Sequence, residues 1–144
     1  MNARNRMLLA ITVAAGLALS ACGGSSGSGG DAFNNSLAFG TGITGNGFVL
    51  SGESTTFPVA TTRTGIYFRL ESSANFDGRF VRLYFNNIEN MDFSGCAGAD
   101  AHICLANFSV SNPGTYVVKA YLVRPVLDIG TETYVTQTTL TVTP

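Results

Sequence analysis

The chain has 144 residues, enough for one domain and one hydrophobic core. Only 12% of them are charged, with eight Lys and Arg against nine Asp and Glu, and no basic stripe that would suit nucleic acid. Seventeen glycines, many threonines and no long helical period point to an all-β chain.

In chain order, the first feature is an export leader. Arg4 and Arg6 supply a positive start, and Met7 to Leu19 is an apolar run of 13 residues, too short to cross a bilayer as a helix. An ordinary signal-peptidase cut after Ala21 would place Leu19 where a small residue is wanted. Leu19-Ser20-Ala21-Cys22 instead resembles the lipobox of bacterial lipoproteins. The resemblance implies that 1–21 is a removed signal peptide and that Cys22 carries lipid as the first mature residue. One acyl chain holds a protein marginally, and two or more hold it firmly. Gly23 stands where an inner-membrane retention signal would have Asp, so in a host with two membranes the resemblance implies the outer one. Residues 22–30 then form a lipidated cysteine and tether, in which Gly24 to Gly30 (GSSGSGG) spans only ~15 Å on average. Export carries Cys96 and Cys104 into an oxidising compartment, where the pair is expected to form a disulfide. The closed loop is short, so its stabilisation is roughly 2.5 kcal/mol.

From Asp31 to Pro144 the pattern is short strands between turns. Short strands are expected near Leu37 to Phe39, Phe48 to Leu50 and Thr56 to Ala60. Between the first two, Gly40 to Gly45 (GTGITG) matches G-x-G-x-x-G. A phosphate cradle needs a helix directly after it, whereas strand and turn residues follow, so the motif reads as a glycine-rich turn. Gly65 to Glu71 alternates with Ile66, Phe68 and Leu70 on one side; Asn75, Asp77 and Gly78 then turn the chain. Arg79 to Asn86 points Val81, Leu83 and Phe85 inward and Phe80, Arg82 and Tyr84 outward. An irregular stretch follows. His102 to Val110, Thr115 to Val123 and Thr133 to Val142 complete about seven strands, a sandwich or barrel.

Ile103, Leu105, Phe108, Asn112, Gly114 and Tyr116 fall on a spacing that resembles the strand E to strand F corner of immunoglobulin-like domains. The resemblance implies a Greek-key sandwich over 31–144 in which Tyr116 is a structural corner, its hydroxyl bonded to upstream backbone. Val118 stands where antibody domains have cysteine, and the chain has no Trp, so the nearer likeness is to bacterial Ig-like, PKD-like or fibronectin-like domains. Another Greek-key sandwich such as a jelly roll remains open.

Candidate chemistry is sparse. His102 is the only histidine, and a zinc site built from it with Cys96, Cys104 and an Asp has no ordinary ligand spacing. No G-x-S-x-G elbow and no paired carboxylates stand out. No catalytic residue, metal or cofactor is therefore assigned. Under the Ig-like expectation, strands C, F and G share a sheet whose outer face carries Phe80, Arg82, Tyr84, Val117, Lys119, Tyr121, Val123, Val135 and Gln137. Aromatics and long cationic stems favour interfaces. Phe80, Arg82, Tyr84, Lys119 and Tyr121 are the candidate binding face, for a protein or glycan partner. The expected function is a membrane-anchored, non-catalytic module for binding, adhesion or envelope assembly. The alternatives are a periplasmic inhibitor of a lysozyme or protease, using the Cys96 to Cys104 loop, and a carbohydrate-binding module with a coplanar aromatic row.

Overall fold

The structure is a computed structural model that describes residues 33–45, 48–96, 101–124 and 131–144. Residues 1–32, with the expected signal peptide, Cys22 and the expected tether, and residues 46–47, 97–100 and 125–130 lie outside the described residues. Ten strands run through the rest: β1 (Ser36–Gly40), β2 (Gly42–Thr44), β3 (Val49–Ser51), β4 (Thr56–Pro58), β5 (Ile66–Glu71), β6 (Phe80–Phe85), β7 (Glu89–Phe93), β8 (Ile103–Phe108), β9 (Gly114–Val123) and β10 (Glu132–Thr143). A short helix, α1 (Val59–Thr64), follows β4.

Alternation fixes the two main sheets. In β5, Ile66, Phe68 and Leu70 are fully buried, while Tyr67, Arg69 and Glu71 are half-buried on the opposite face. Val81 and Leu83 in β6, and Val118, Ala120 and Leu122 in β9, repeat the pattern. One sheet has the order β1-β5-β8; the other has β4-β10-β9-β6-β7. All neighbours are antiparallel except β4, which runs parallel to β10. With β1, β5 and β8 as strands A, B and E, and β6, β9 and β10 as C, F and G, this is the strand arrangement of an Ig-like Greek-key sandwich. The count is ten rather than about seven: β2 pairs with the strand expected near Phe48 to Leu50, and β7 forms in the stretch after β6 that was expected to be irregular.

Six phenylalanines stand among the leucines and valines that fill the space between the sheets. The Phe108 ring lies 5.8 Å from Phe39 and 6.1 Å from Phe68 in its own sheet, and 5.7 Å from Phe85 across the gap. Phe93 of β7 meets Phe68 edge-on at 4.7 Å. Each such ring contributes roughly 1.5–3 kcal/mol on burial. Cys104 is fully buried and bonded to Cys96 in the 3-10 turn Ser94–Cys96, with Cα atoms 5.2 Å apart.

Three local outcomes differ from the pattern in the sequence. Ile103 and Leu105 do not line the core; Cys104, Ala106 and Phe108 face it, because β8 pairs with β5 as Leu70↔Cys104, Phe68↔Ala106 and Ile66↔Phe108. Thr56 to Ala60 is not one strand. After Pro58 the chain coils into α1, and Thr62, fully buried, donates its hydroxyl to the Val110 carbonyl at 2.6 Å. Its Thr-rich sequence favours strand, so this tertiary bond, with Val110 N–H returning to the Thr62 carbonyl at 3.1 Å, overrides local preference. The irregular stretch after β6 contains β7, turned by Asn86 and Asn87 at φ 52° and 60°.

A β-bulge sets the fourth difference. Tyr134 pairs with Tyr121 and Thr136 with Ala120, leaving Val135 as the extra residue. Val135 therefore turns into the core at 8% exposure, whereas Tyr134 points outward at 51%. Val135→Ser is expected to cost about 2 kcal/mol in urea denaturation. Tyr134→Ser should cost less than about 1 kcal/mol. Equal costs would contradict the bulge.

Candidate functional site

The five-stranded sheet brings the candidate binding residues onto one face. Cross-strand register puts Arg82 opposite Tyr121 and Asp92, Tyr84 opposite Lys119 and Asn90, and Phe80 opposite Val123. Across β9 and β10 the same face continues through Tyr134, Glu132 and Gln137. Val135, expected on this face, is absent from it for the reason given above. Tyr134, Glu132 and Asp92 were not legible as members, since the bulge and β7 decide their side.

Arg82 organises the face. Its Nε and Nη2 donate to the two Asp92 oxygens at 2.6 and 2.8 Å, and its Nη1 donates to Glu132 Oε1 at 2.6 Å. Phe80 lies under the guanidinium, 5.5 Å from ring centre to Cζ. The bond to Asp92, opposed by partial burial and supported by Glu132, raises the Arg82 pKa further above its already high value. The Tyr84 hydroxyl donates to the same Glu132 oxygen at 2.7 Å, and that bond, with partial burial, raises the phenol pKa. The most obvious cation on the face is thus already paired with carboxylates of its own sheet.

Three tyrosines form the aromatic part. Tyr84 meets Tyr121 at 5.3 Å and 82°, and Tyr121 meets Tyr134 at 5.5 Å and 68°. The rings stand edge to face, unlike the coplanar row that stacks on a sugar chain. Two clefts in the structure measure about 250 Å³, beside Leu37 and Glu53, and about 220 Å³, beside Tyr116 and Met91. Both are below the ~300 Å³ of ordinary small-molecule sites.

The other singled-out residues have structural surroundings. The Tyr116 hydroxyl donates to the Asn112 carbonyl at 2.8 Å, tying the start of β9 to the loop before it. His102 places Nδ1 2.9 Å from the Ser72 carbonyl and stacks on Phe33 at 4.2 Å and 6°. Cys96 and Cys104 are oxidised and cannot ligate zinc, and among the described residues no three His, Cys, Asp or Glu side chains are grouped as a metal site. The glycine motif is a matter of close approach. A Cβ on Gly40 would lie 2.6 Å from the Ser51 carbonyl oxygen, so only glycine lets β3 cross over the end of β1.

One polar chain crosses the outer face of the three-stranded sheet. Arg69 Nε donates to the Phe48 carbonyl at 2.9 Å, Arg69 Nη2 pairs with Glu71 Oε2 at 2.9 Å, and the Asn34 amide donates to Glu71 Oε1 at 2.9 Å. The Asn34 amide, aided by Arg69 and opposed by partial burial, holds the Glu71 pKa below the usual carboxylate value.

Two measurements follow. Reducing the disulfide is expected to lower the urea-denaturation free energy by about 2.5 kcal/mol while leaving the strand signal in circular dichroism unchanged at 25 °C. Arg82→Met is expected to cost about 1 kcal/mol, a loss that shrinks at ~1 M NaCl, where screening acts within ~3 Å. No known protein family matches the chain, and no curated protein or solved structure is significantly similar to it.

Proposed function

We infer that this chain is an exported lipoprotein, held to the membrane by lipid on Cys22, whose β-sandwich acts as a non-catalytic binding module in envelope assembly or adhesion. The observation that carries the reading is Leu19-Ser20-Ala21-Cys22 after a 13-residue apolar run and before a Gly/Ser stretch that leads into β1. Leader, lipid site, tether and domain follow one another in the order that this use requires. In a host with two membranes, Gly23 rather than Asp after the cysteine favours the outer one.

The sheet face around Tyr84, Tyr121 and Tyr134 is the binding surface in this reading. Its aromatic rings are held by neighbours and lose little freedom on contact, and its central Arg82 is already neutralised. Edge-to-face rings suit a protein surface better than a glycan, which stacks on a coplanar row.

Cell fractionation tests the anchor. The wild-type chain is expected in the membrane fraction after a carbonate wash, and Cys22→Ser in the soluble fraction; equal distribution of the two would contradict the reading. Once a partner is in hand, Tyr121→Ala and Tyr134→Ala together should weaken binding at least tenfold, a loss of about 1.4 kcal/mol or more.

A further inference from the structure

Glu89 carries a charge that the chain itself does not answer. Beyond Arg4 and Arg6, the cations of the sequence are Arg63, Arg69, Arg79, Arg82, Lys119 and Arg124. Arg69, Arg82 and Arg124 pair with Glu71, Asp92, Glu132 and Asp77. Arg79 donates to the Phe76 and Asn75 carbonyls, and Arg63 donates through two nitrogens to the Ser111 carbonyl. Lys119 stands opposite Tyr84, on the outward face of the five-stranded sheet. Among the described residues, none of these six pairs with Glu89.

Glu89 belongs to the other side of that sheet. Along β7, Met91 and Phe93 pack against the core, and alternation puts Glu89 on their side. Its register partner is Phe85, as that of Met91 is Leu83, and both partners are buried. A carboxylate on the core-directed side of a strand breaks the pattern of its neighbours, and such breaks mark sites of use. Solvent reaches Glu89 through a cleft of about 220 Å³, whose walls are Glu89 and Met91 of β7, residues 109–112 of the β8–β9 connection, Phe85 and Tyr116. A second cleft of about 130 Å³ shares Phe85, Glu89, Asn112 and Tyr116 with the first and extends to Ile88, which is 84% exposed.

The chemistry of these walls names a class of ligand. Phe85 and Tyr116 stand at 82° with ring centres 6.2 Å apart, and the bond from the Tyr116 hydroxyl to the Asn112 carbonyl holds the half-buried ring in place. A carboxylate beside an aromatic ring attracts a cation, and apolar walls from Met91 and Val110 accept the methylene stem that carries it. No wall residue is Lys or Arg, so the cation comes from outside the chain. One carboxylate suits the compact ammonium of lysine, whereas the planar guanidinium of arginine asks for a fork of acceptors. The cleft is smaller than an ordinary small-molecule site, and the exposed Ile88 widens the contact beyond it, which suits a side chain borne on a polypeptide.

We propose that this cleft takes a lysine side chain of a partner polypeptide, with the ammonium against Glu89 and Tyr116 and the stem against Met91. The site is separate from the tyrosine face, which lies on the outward side of the same sheet, and it does not depend on lipid at Cys22.

Fluorescence anisotropy tests it, with the full-length chain in dodecyl maltoside micelles and a labelled octapeptide of Ser, Thr and Val around one central Lys. Peptides with norleucine, Arg or Glu in that place are the controls, and empty micelles give the baseline. The Lys peptide is expected to bind saturably, at least tenfold tighter than the norleucine peptide and at least threefold tighter than the Arg peptide. Glu89→Gln is expected to lower its affinity to the norleucine level, and Glu89→Lys to turn the preference toward the Glu peptide. Glu89 is exposed, so both variants keep the fold, which circular dichroism checks. Ile88→Ser repeats the measurement from the rim and is expected to weaken the Lys peptide about threefold. Absence of saturable binding, equal affinity for the Lys and norleucine or Arg peptides, or undiminished binding by Glu89→Gln overturns the proposal. Displacement of the Lys peptide by n-butylammonium at the same concentration assigns the cleft to a free amine and overturns it too.

Discussion

Everything in this fold depends on closing two twisted sheets over one aromatic layer. Phe39, Phe68 and Phe108 come from the three-stranded sheet, and Phe85 and Phe93 from the five-stranded one. The chain has no Trp, and its disulfide joins the turn after β7 to β8 rather than B to F, so ring packing does what a Trp on a bridging disulfide does in antibody domains. Because side chains alternate strictly along each strand, committing these rings to the interior also commits their neighbours to the outside. Arg69 and Glu71 are exterior because Phe68 and Leu70 are interior; Arg82 and Tyr84 are exterior because Val81, Leu83 and Phe85 are not. The two outer faces are by-products of one packing decision.

Much of this is legible in the residues. IYFRLE and FVRLYF alternate cleanly, bury the side expected of them, and set the face carrying Phe80, Arg82, Tyr84, Lys119 and Tyr121. What alternation cannot reveal is where the register breaks. The bulge at Val135 reverses the outward side of β10, exchanging Val135 for Tyr134 and Glu132, and nothing in TYVTQ marks it locally. Strand β8 presents the same difficulty. Ile103 and Leu105 are the more apolar choice for an interior face, yet pairing to β5 turns Cys104, Ala106 and Phe108 inward. The α1 turn is set by Thr62 reaching Val110, 48 residues away, which no local propensity encodes. The Asn86-Asn87 pair, by contrast, did carry a readable signal for the hairpin into β7, since Asn tolerates positive φ.

The functional reading joins a chemical address to a shape. In the proposed reading the lipobox resemblance supplies the place where the chain is held, and the sandwich supplies a body with two different outer faces. One face is a self-satisfied network in which Asp92, Arg82, Glu132 and Tyr84 bind one another and leave tyrosine edges available. The other carries the polar chain in which Arg69 and Glu71 link the Phe48 carbonyl to the Asn34 amide.

The account stands or falls on residue 22. Mass spectrometry of the N-terminal peptide from the membrane-derived protein should find Cys22 as the first residue, carrying a thioether-linked diacylglycerol. An unmodified Cys22, or a chain that still begins at Met1, would contradict it.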